Sequence, residues 1–278
     1  MPDRGALPRV AVSIVSHGHA HDVSALVAAL ASSSLPPHRI WVTWNHPAES
    51  ADLASAARVT QAWHAGALQA AQVLRHRHNK VPQGFGANHN AAFACEQAQP
   101  DPADWFVVLN PDVRWLADPW GGIGNSLRAA EPAAAAWYVR QVSACGQPQD
   151  AERALPTPQA LLRRYVGPRA AASAVPARID WVNAAFLVLS SAAYRAVGGF
   201  DERYFMYCED VDLCLRLQLR GYALQAVPGA LVIHAGQRAS HRRLDHLRWH
   251  LQSLWRLWRS DAYRQFRALR RGAPVGAR

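Results

Sequence analysis

Three short apolar runs constrain this chain most: Val10 to Ser16 (VAVSIVS), Arg39 to Trp44 (RIWVTW) and Trp105 to Leu109 (WFVVL). Each is too short for a stable helix and rich in β-branched or aromatic residues, so each reads as a buried strand. Helix-patterned segments lie between them. Asp22 to Ser33 sets Val23, Leu26, Val27 and Leu30 on one face. Ser50 to Ala71 is Ala-rich, and Gly84 to Gln97 opens on a Gly-rich turn. A weaker third strand reads at Ala71 to Arg75. Strands alternating with helices predict an α/β protein with a mostly parallel central sheet flanked by helices.

Beyond Leu109 the punctuation changes. Pro148, Pro156, Pro158, Pro168 and Pro176 interrupt the stretch from Pro132 to Arg178, which predicts loops there. Strand character returns at Trp181 to Leu189. A short helix at Ser191 to Val197 ends on Gly198-Gly199. Val211 to Arg220 reads as a helix stopped by Gly221, followed by short strands at Tyr222 to Val227 and Ala230 to His234. From Leu244 on, Leu247, Leu251, Leu254, Trp255 and Trp258 share one helical stripe, beside Arg248, Gln252, Arg256 and Arg259. The chain therefore divides into a domain over 1–237 and a basic amphipathic helical tail over 238–278.

The charge follows that division. The net charge is +10, and residues 238–278 hold 11 Arg against 2 Asp, which is +9 of it. The remaining 237 residues carry about +1, so the body is not a nucleic-acid-binding surface and no nucleic-acid partner is expected. Cys95, Cys145, Cys208 and Cys214 form no CxxC pair, which points to reduced thiols. No apolar run approaches the roughly 18 residues that cross a bilayer, and no signal-peptide pattern opens the chain. A cytoplasmic protein is expected. Its tail helix either lies on the inner face of an anionic membrane or packs its stripe against the domain.

Two acidic segments carry the chemistry. Asn110-Pro111-Asp112 ends a hydrophobic strand, and open α/β sheets bind ligands at the carboxyl ends of their strands. Asp112 there either holds a cation against a phosphate or caps a Pro turn. The second segment runs from Gly198 to Leu213 (GGFDERYFMYCEDVDL). The dipole of a following helix accounts for acidic residues at Glu209, Asp210 and Asp212, and Asp212 can pair with Arg216 one turn on. Neither effect explains why Tyr204, Phe205 and Tyr207 lie beside Glu209 and Asp210. A carboxylate against rings has its pKa raised, which suits a general base.

Five blocks together resemble the family 2 glycosyltransferases, in particular the rhamnosyltransferase-like group with the GT-A fold. They are Val10 to Ser16, Gln83-Gly84-Phe85-Gly86-Ala87-Asn88-His89-Asn90, Leu109-Asn110-Pro111-Asp112-Val113, Asp180-Trp181-Val182-Asn183-Ala184-Ala185-Phe186, and Gly198 to Leu213. The resemblance covers roughly residues 8 to 240 and implies a metal-dependent, inverting enzyme that uses a nucleotide-sugar donor. Asp112, with Asn110 beside it, would hold Mg2+ or Mn2+ against the donor diphosphate, and His234 would complete the metal site. Asp210 would be the catalytic base, supported by Glu209. Ser16, His17, Asn45, Gly84, Phe85, Gly86, Asn90, Trp181 and Asn183 would line the substrate cleft, with Asp201 and Glu202 near the sugars.

The resemblance further implies dTDP-L-rhamnose as donor, with UDP-linked hexose or galactofuranose as alternatives. The acceptor would be a glycan or a lipid-linked sugar of bacterial surface polysaccharide synthesis. A catalytically silent carbohydrate-binding relative is the rival reading. Departures from the family pattern fall at Ser16-His17-Gly18, at Val42-Thr43-Trp44-Asn45, and at Asn88 and Ala184 where glycine is usual. Trp44 then either stacks on the base or fills the core. Trp115 and Trp120, which follow the metal motif, would line the acceptor cleft. His17, His19 and His21 alternate without a cysteine nearby, so they are not read as a separate metal site.

Overall fold

The structure, a computed structural model, describes residues 8–46, 53–66, 73–130, 136–149, 151–161, 178–234 and 244–272. The first half alternates as the apolar runs require: β1 (Val10–Ser16), α1 (Ala20–Ala31), β2 (Arg39–Trp44), α2 (Leu53–Gly66), β3 (Leu74–His78), α3 (Phe85–Gln97) and β4 (Trp105–Leu109). The second half adds β5 (Val113–Trp115), α4 (Trp120–Arg128), β6 (Ala136–Val142), β7 (Glu152–Arg153), β8 (Trp181–Val182), β9 (Phe186–Ser190), α5 (Ser191–Ala196), α6 (Glu209–Leu219), β10 (Leu224–His234), α7 (Leu244–Arg259) and α8 (Asp261–Arg270).

The main sheet has the order β3-β2-β1-β4-β9-β6-β10-β5, and β7 and β8 form a small separate ribbon. β1, β2, β3 and β4 pair in parallel, as do β6 and β10. β9 runs antiparallel to both its neighbours, and β5 antiparallel to β10. Side chains alternate between two cores on the two faces. Val10, Val12, Ile14, Val107 and Leu109 enter one with α1, α2 and α4. Ala11, Phe106 and Val108 enter the other with α3, α5 and α6. Each fully buried Val, Ile or Leu contributes roughly 1.5–3 kcal/mol.

Several elements differ from the expectation. The stretch expected to be loops contains β6, a central strand. The prolines from 148 onward all lie beyond AWYVRQV and leave that run uninterrupted. The third strand lies at Leu74–His78, because LRHRH continues the register that pairs Trp44 with His78. The single strand expected over Trp181 to Leu189 is two, broken at residues 183–185: β8 pairs with β7, and β9 enters the main sheet. The two strands expected after Tyr222 are one, with a register shift between Ala226 and Leu231 around Pro228 and Gly229. Gly229 supplies a φ of +69° there, and β6 pairs with both halves, so the strand continues past the irregularity.

Helices α7 and α8 extend the second core. Leu254, Leu257, Tyr263 and Phe266 are buried beside residues of α6. Ser260 separates the two helices and caps α8 by accepting the N–H of Tyr263. The expected single stripe is thereby split. Leu254 faces the core, whereas Leu247, Leu251 and Trp255 face solvent. The expected boundary at 237–238 lies outside the described residues, as do parts of the Ala-rich segment over 50–71.

Candidate active site

The carboxyl ends of β1, β2, β4 and β10 meet along one edge of the sheet. Asp112 follows β4 in the turn into β5. His234 ends β10 directly opposite Val113, so β5–β10 pairing brings His234 beside Asp112. The His234 Nε2 lies 3.5 Å from Asp112 Oδ1. The His234 Nδ1 faces Gln141 Oε1 at 3.0 Å and donates to it, because an amide oxygen can only accept. Gln141 Nε2 donates to Asn183 Oδ1 at 2.5 Å, and Asn183 Nδ2 returns a bond to Gln141 Oε1 at 3.1 Å. The backbone N–H of the next residue, Ala184, lies near enough to Asp210 to lower its pKa. A polar route therefore leads from Asp112 through His234, Gln141 and Asn183 to Ala184, which borders Asp210. It joins two carboxylates separated by nearly a hundred positions of sequence.

The chain sets the state of His234. With Nδ1 donating to Gln141, Nε2 is the ring nitrogen turned toward Asp112, the one left to ligate a metal. At 3.5 Å the two atoms make a poor hydrogen bond. Two donors each about 2.1 Å from a shared cation are about 3 Å apart, close to what is seen. Among the described residues no group of three or more His, Cys, Asp or Glu side chains could hold a metal. Any ion between Asp112 and His234 would draw its remaining ligands from substrate oxygens and water, as hard divalent cations on diphosphates do.

The two ends differ electrostatically. Burial pushes Asp112 up, but His234, its own backbone N–H and the nearby His19 bring it below the usual carboxylate range. Burial pushes Asp210 up to about 6, against the N–H groups of Val211 and Ala184 and the charge of Arg153. Glu209 is raised well above its usual value by burial and by the charge of Asp210. Both lie in the first turn of α6, entered through Tyr207 and Cys208, whose φ angles of +72° and +66° are left-handed.

The other candidates fall into separate sets. Ser16 ends β1 and His17 follows it, with its ring edge-on to His46 at 5.4 Å. Asn110 is anchored through its N–H to Ala185 O at 2.9 Å. Trp181 is buried, with Arg153 5.1 Å over its ring and its Nε1 on Ala154 O. Asn45, Gly84, Phe85, Gly86, Asn90, Asp201 and Glu202 belong to a scaffold. The Asn45 side chain binds both the N–H and the C=O of Gln83. A Cβ on Gly84 would meet Phe205 O at 2.8 Å, and one on Gly86 would meet Phe200 Cβ at 2.5 Å. Asn90 accepts from Tyr194 and from Phe200 N–H, and donates to Phe200 O and Glu202. Asp201 pairs with Arg203. These glycines and amides close the 200–205 loop onto the start of α3.

For the tryptophans, the structure selects one of the two readings of Trp44 and corrects that of Trp120. Trp44 is fully buried, stacked on His76 and His78, so it fills the core and cannot meet a base. Trp120 is fully buried against Phe186 and does not line a cleft, and Trp115 is half-buried on β5. Sequence reasoning missed Gln141 and Arg153. Gln141 is a buried amide inside the apolar run AWYVRQV, and that misfit was its signal. Arg153 carried none, because its β7 neighbours read as loop.

Solved structures similar in fold include the mannosyltransferase PcManGT from Pyrobaculum calidifontis in complex with GDP-Man and Mn2+ (TM-score 0.59, 18% identity, covering 92% of this chain and 66% of that one). GalNAc-T7 with UDP, GalNAc and Mn2+ superposes at a TM-score of 0.58 with 13% identity, over 98% of this chain and 53% of that one. The fold is the GT-A fold of glycosyltransferases. Curated homologues of this chain include rhamnosyltransferases. Rhamnosyltransferase WbbL of Escherichia coli is 42% identical over 79 residues, 28% of this chain and 30% of the relative. The N-acetylglucosaminyl-diphospho-decaprenol L-rhamnosyltransferase of Mycobacterium tuberculosis is 33% identical over 183 residues, 58% of this chain and 57% of the relative. The chain thus spans between 30% and 57% of the length of these curated relatives. No known family profile matches it.

Proposed function

We propose that this chain is an inverting, divalent-metal-dependent glycosyltransferase. It moves L-rhamnose from dTDP-L-rhamnose to a glycan or lipid-linked acceptor in bacterial surface polysaccharide synthesis. The observation that carries the reading is the polar chain joining Asp112 and His234 to Asp210. It sets a cation-compatible pair and a carboxylate with a raised pKa at the two ends of one run of polar contacts. The homologue that bears N-acetylglucosaminyl-diphospho-decaprenol in its name supports a diphosphate-lipid-linked acceptor. Such an acceptor would bring the protein to the cytoplasmic face of the membrane. Among the described residues no helix is long and apolar enough to cross one.

In this reading Asp112 and His234 Nε2 would hold Mg2+ or Mn2+, with Asn110 bordering that site. The ion would supply charge compensation for the diphosphate. Asp210 accepts the proton of the acceptor hydroxyl, whose oxygen attacks the anomeric carbon from the face opposite the diphosphate. The sugar–phosphate bond breaks, the anomeric centre inverts, and one base suffices. Glu209, buried in the same turn and raised well above its usual pKa by burial and the charge of Asp210, supports the base from alongside. Gln141 and Asn183 fix the spacing between the two ends.

The test is release of dTDP from dTDP-L-rhamnose by the purified chain with Mn2+ and a GlcNAc-diphosphate-lipid acceptor. Acceptor-dependent release is expected. Asp210→Asn should lower turnover by on the order of 10²–10⁴-fold while nucleotide affinity stays within about twofold. Undiminished turnover in that variant overturns the reading, as does wild-type protein that binds no nucleotide in the presence of Mn2+.

A further inference from the structure

The solvent-facing side of α7 carries an unusual combination. Leu247, Leu251 and Trp255 stand at i, i+4 and i+8 on one line and are 54%, 59% and 62% exposed. Arg248 and Arg259 are exposed beside them, and Arg259 lies 5.3 Å over the Trp255 ring. On the adjoining face Ser253, Leu254 and Leu257 are buried, and Trp258, one turn on from Leu254 and Trp255, packs on the same core. The three exposed residues are therefore the solvent-facing margin of an apolar face whose other edge is already packed. Single exposed leucines are ordinary, but a line of two leucines and a tryptophan bordered by arginines is the pattern of a helix that lies in a lipid interface.

We infer that the Leu247–Leu251–Trp255 stripe of α7, with Arg248 and Arg259, is a docking surface for an anionic phospholipid bilayer. Charge decides the occupant. Residues 244–272 carry seven Arg against two Asp, and one of those carboxylates, Asp261, is already paired with Arg264. A two-fold contact between copies of this chain would bring the same arginines into opposition, whereas phosphate headgroups neutralise them. Trp255 suits the headgroup level, with its ring in the acyl boundary and its edge in the wet zone.

The stripe is mechanically joined to the candidate active site. From its other side α7 grips the loop that leads into Glu209 and Asp210. Ser253 Oγ donates to Met206 O at 2.8 Å, Tyr207 OH meets His246 Nδ1 at 2.9 Å, and Phe205 packs on Trp249 with centroids 4.9 Å apart. A bilayer seated on the stripe therefore lies one helix thickness from the base-bearing turn. This deepens the proposed function by naming the surface that meets the acceptor's membrane. Only its biological purpose rests on that reading, because binding is measured without donor or acceptor.

The test is co-sedimentation of the full chain with vesicles of phosphatidylcholine alone or mixed equally with phosphatidylglycerol. Binding to the anionic vesicles is expected to exceed binding to the neutral ones by roughly tenfold or more. Leu251→Glu with Trp255→Glu should reduce anionic-vesicle binding by on the order of 100-fold with an unchanged melting temperature, since both side chains are solvent-facing. Arg248→Gln with Arg259→Gln keeps the apolar stripe and should remove most of the preference for phosphatidylglycerol. Wild-type protein that ignores anionic vesicles overturns the proposal, as does undiminished binding in both double variants. So does a wild-type dimer in light scattering that Leu251→Glu with Trp255→Glu converts to a monomer while vesicle binding persists.

Discussion

Asp112 and Asp210 occupy opposite ends of one polar chain and are held in opposite states. Burial acts on both in the same direction, raising the pKa. At Asp112 it is overcome by two imidazoles, His234 and His19, and by a backbone N–H. At Asp210 it prevails over backbone N–H groups and the charge of Arg153, with Glu209 buried alongside. One end is thus kept ionised, as a cation ligand must be. The other is poised near neutrality, as a base must be. Neighbours and not burial separate the two roles, so exchanging neighbours should exchange properties.

The sharpest way to break the comparison is to neutralise each end in turn. Asp112→Asn should weaken Mn2+-dependent nucleotide binding by tenfold or more in calorimetry, whereas Asp210→Asn should leave it near wild type and remove turnover. Equal losses of affinity in the two variants would mean that the ends are not specialised. Next comes the link between them. Gln141→Leu removes the acceptor for His234 Nδ1 and both bonds to Asn183, which frees the tautomer and ring orientation of His234. Loss of such an outer partner typically costs 10–100-fold in metal affinity. Gln141→Glu should restore most of it, because a carboxylate also accepts from Nδ1. If neither variant moves the metal titration, the chain is only packing.

The pH dependence sharpens the same contrast. Asp210 must be ionised to accept a proton, so turnover should rise with pH through about 6. Arg153→Ala removes a charge that favours the ionised form, and should move the midpoint upward. Stability should respond in the opposite sense. The folded chain keeps a proton on Asp210 that the unfolded chain has already released, so this group favours folding below the ordinary carboxylate pKa. That contribution disappears as pH rises through about 6. In urea, Asp210→Asn should therefore gain on wild type in going from pH 5 to pH 7. A constant difference would remove Asp210 as the group responsible.

How far these two ends could be read in the sequence depends on how local their causes are. β1, β2 and β4 were legible because each is a short apolar run buried on both faces. Asp112 and Asp210 were legible because each sits in a dense local motif. The link was not. Gln141 and Asn183 meet across 42 positions, and β6 was hidden by the prolines beyond it. The Gly84-Phe85-Gly86 turn was visible as a motif, but its steric partners Phe200 and Phe205 lie more than a hundred residues on. The tail showed its amphipathicity but not its two faces, because the sequence does not say which half of the stripe α6 and the 204–208 loop cover.

The smallest expected effect concerns how the base-bearing turn is held. Tyr207 and Cys208 adopt left-handed φ angles, at roughly 1–2 kcal/mol for a non-glycine residue. They are secured from α7 through Tyr207 to His246, the stacking of Tyr207 on His250, and Ser253 to Met206 O. The turn that bears Asp112 is set instead by strand pairing and by the Asn110 N–H on Ala185 O. Tyr207→Phe deletes one hydrogen bond and keeps the ring, so it should cost about 1 kcal/mol in chemical denaturation. It should lower turnover only a few-fold, through kcat, with Mn2+ and nucleotide affinity unchanged. A comparable loss of metal affinity would mean that the two ends are coupled through the backbone of the 204–208 loop as well as through Gln141.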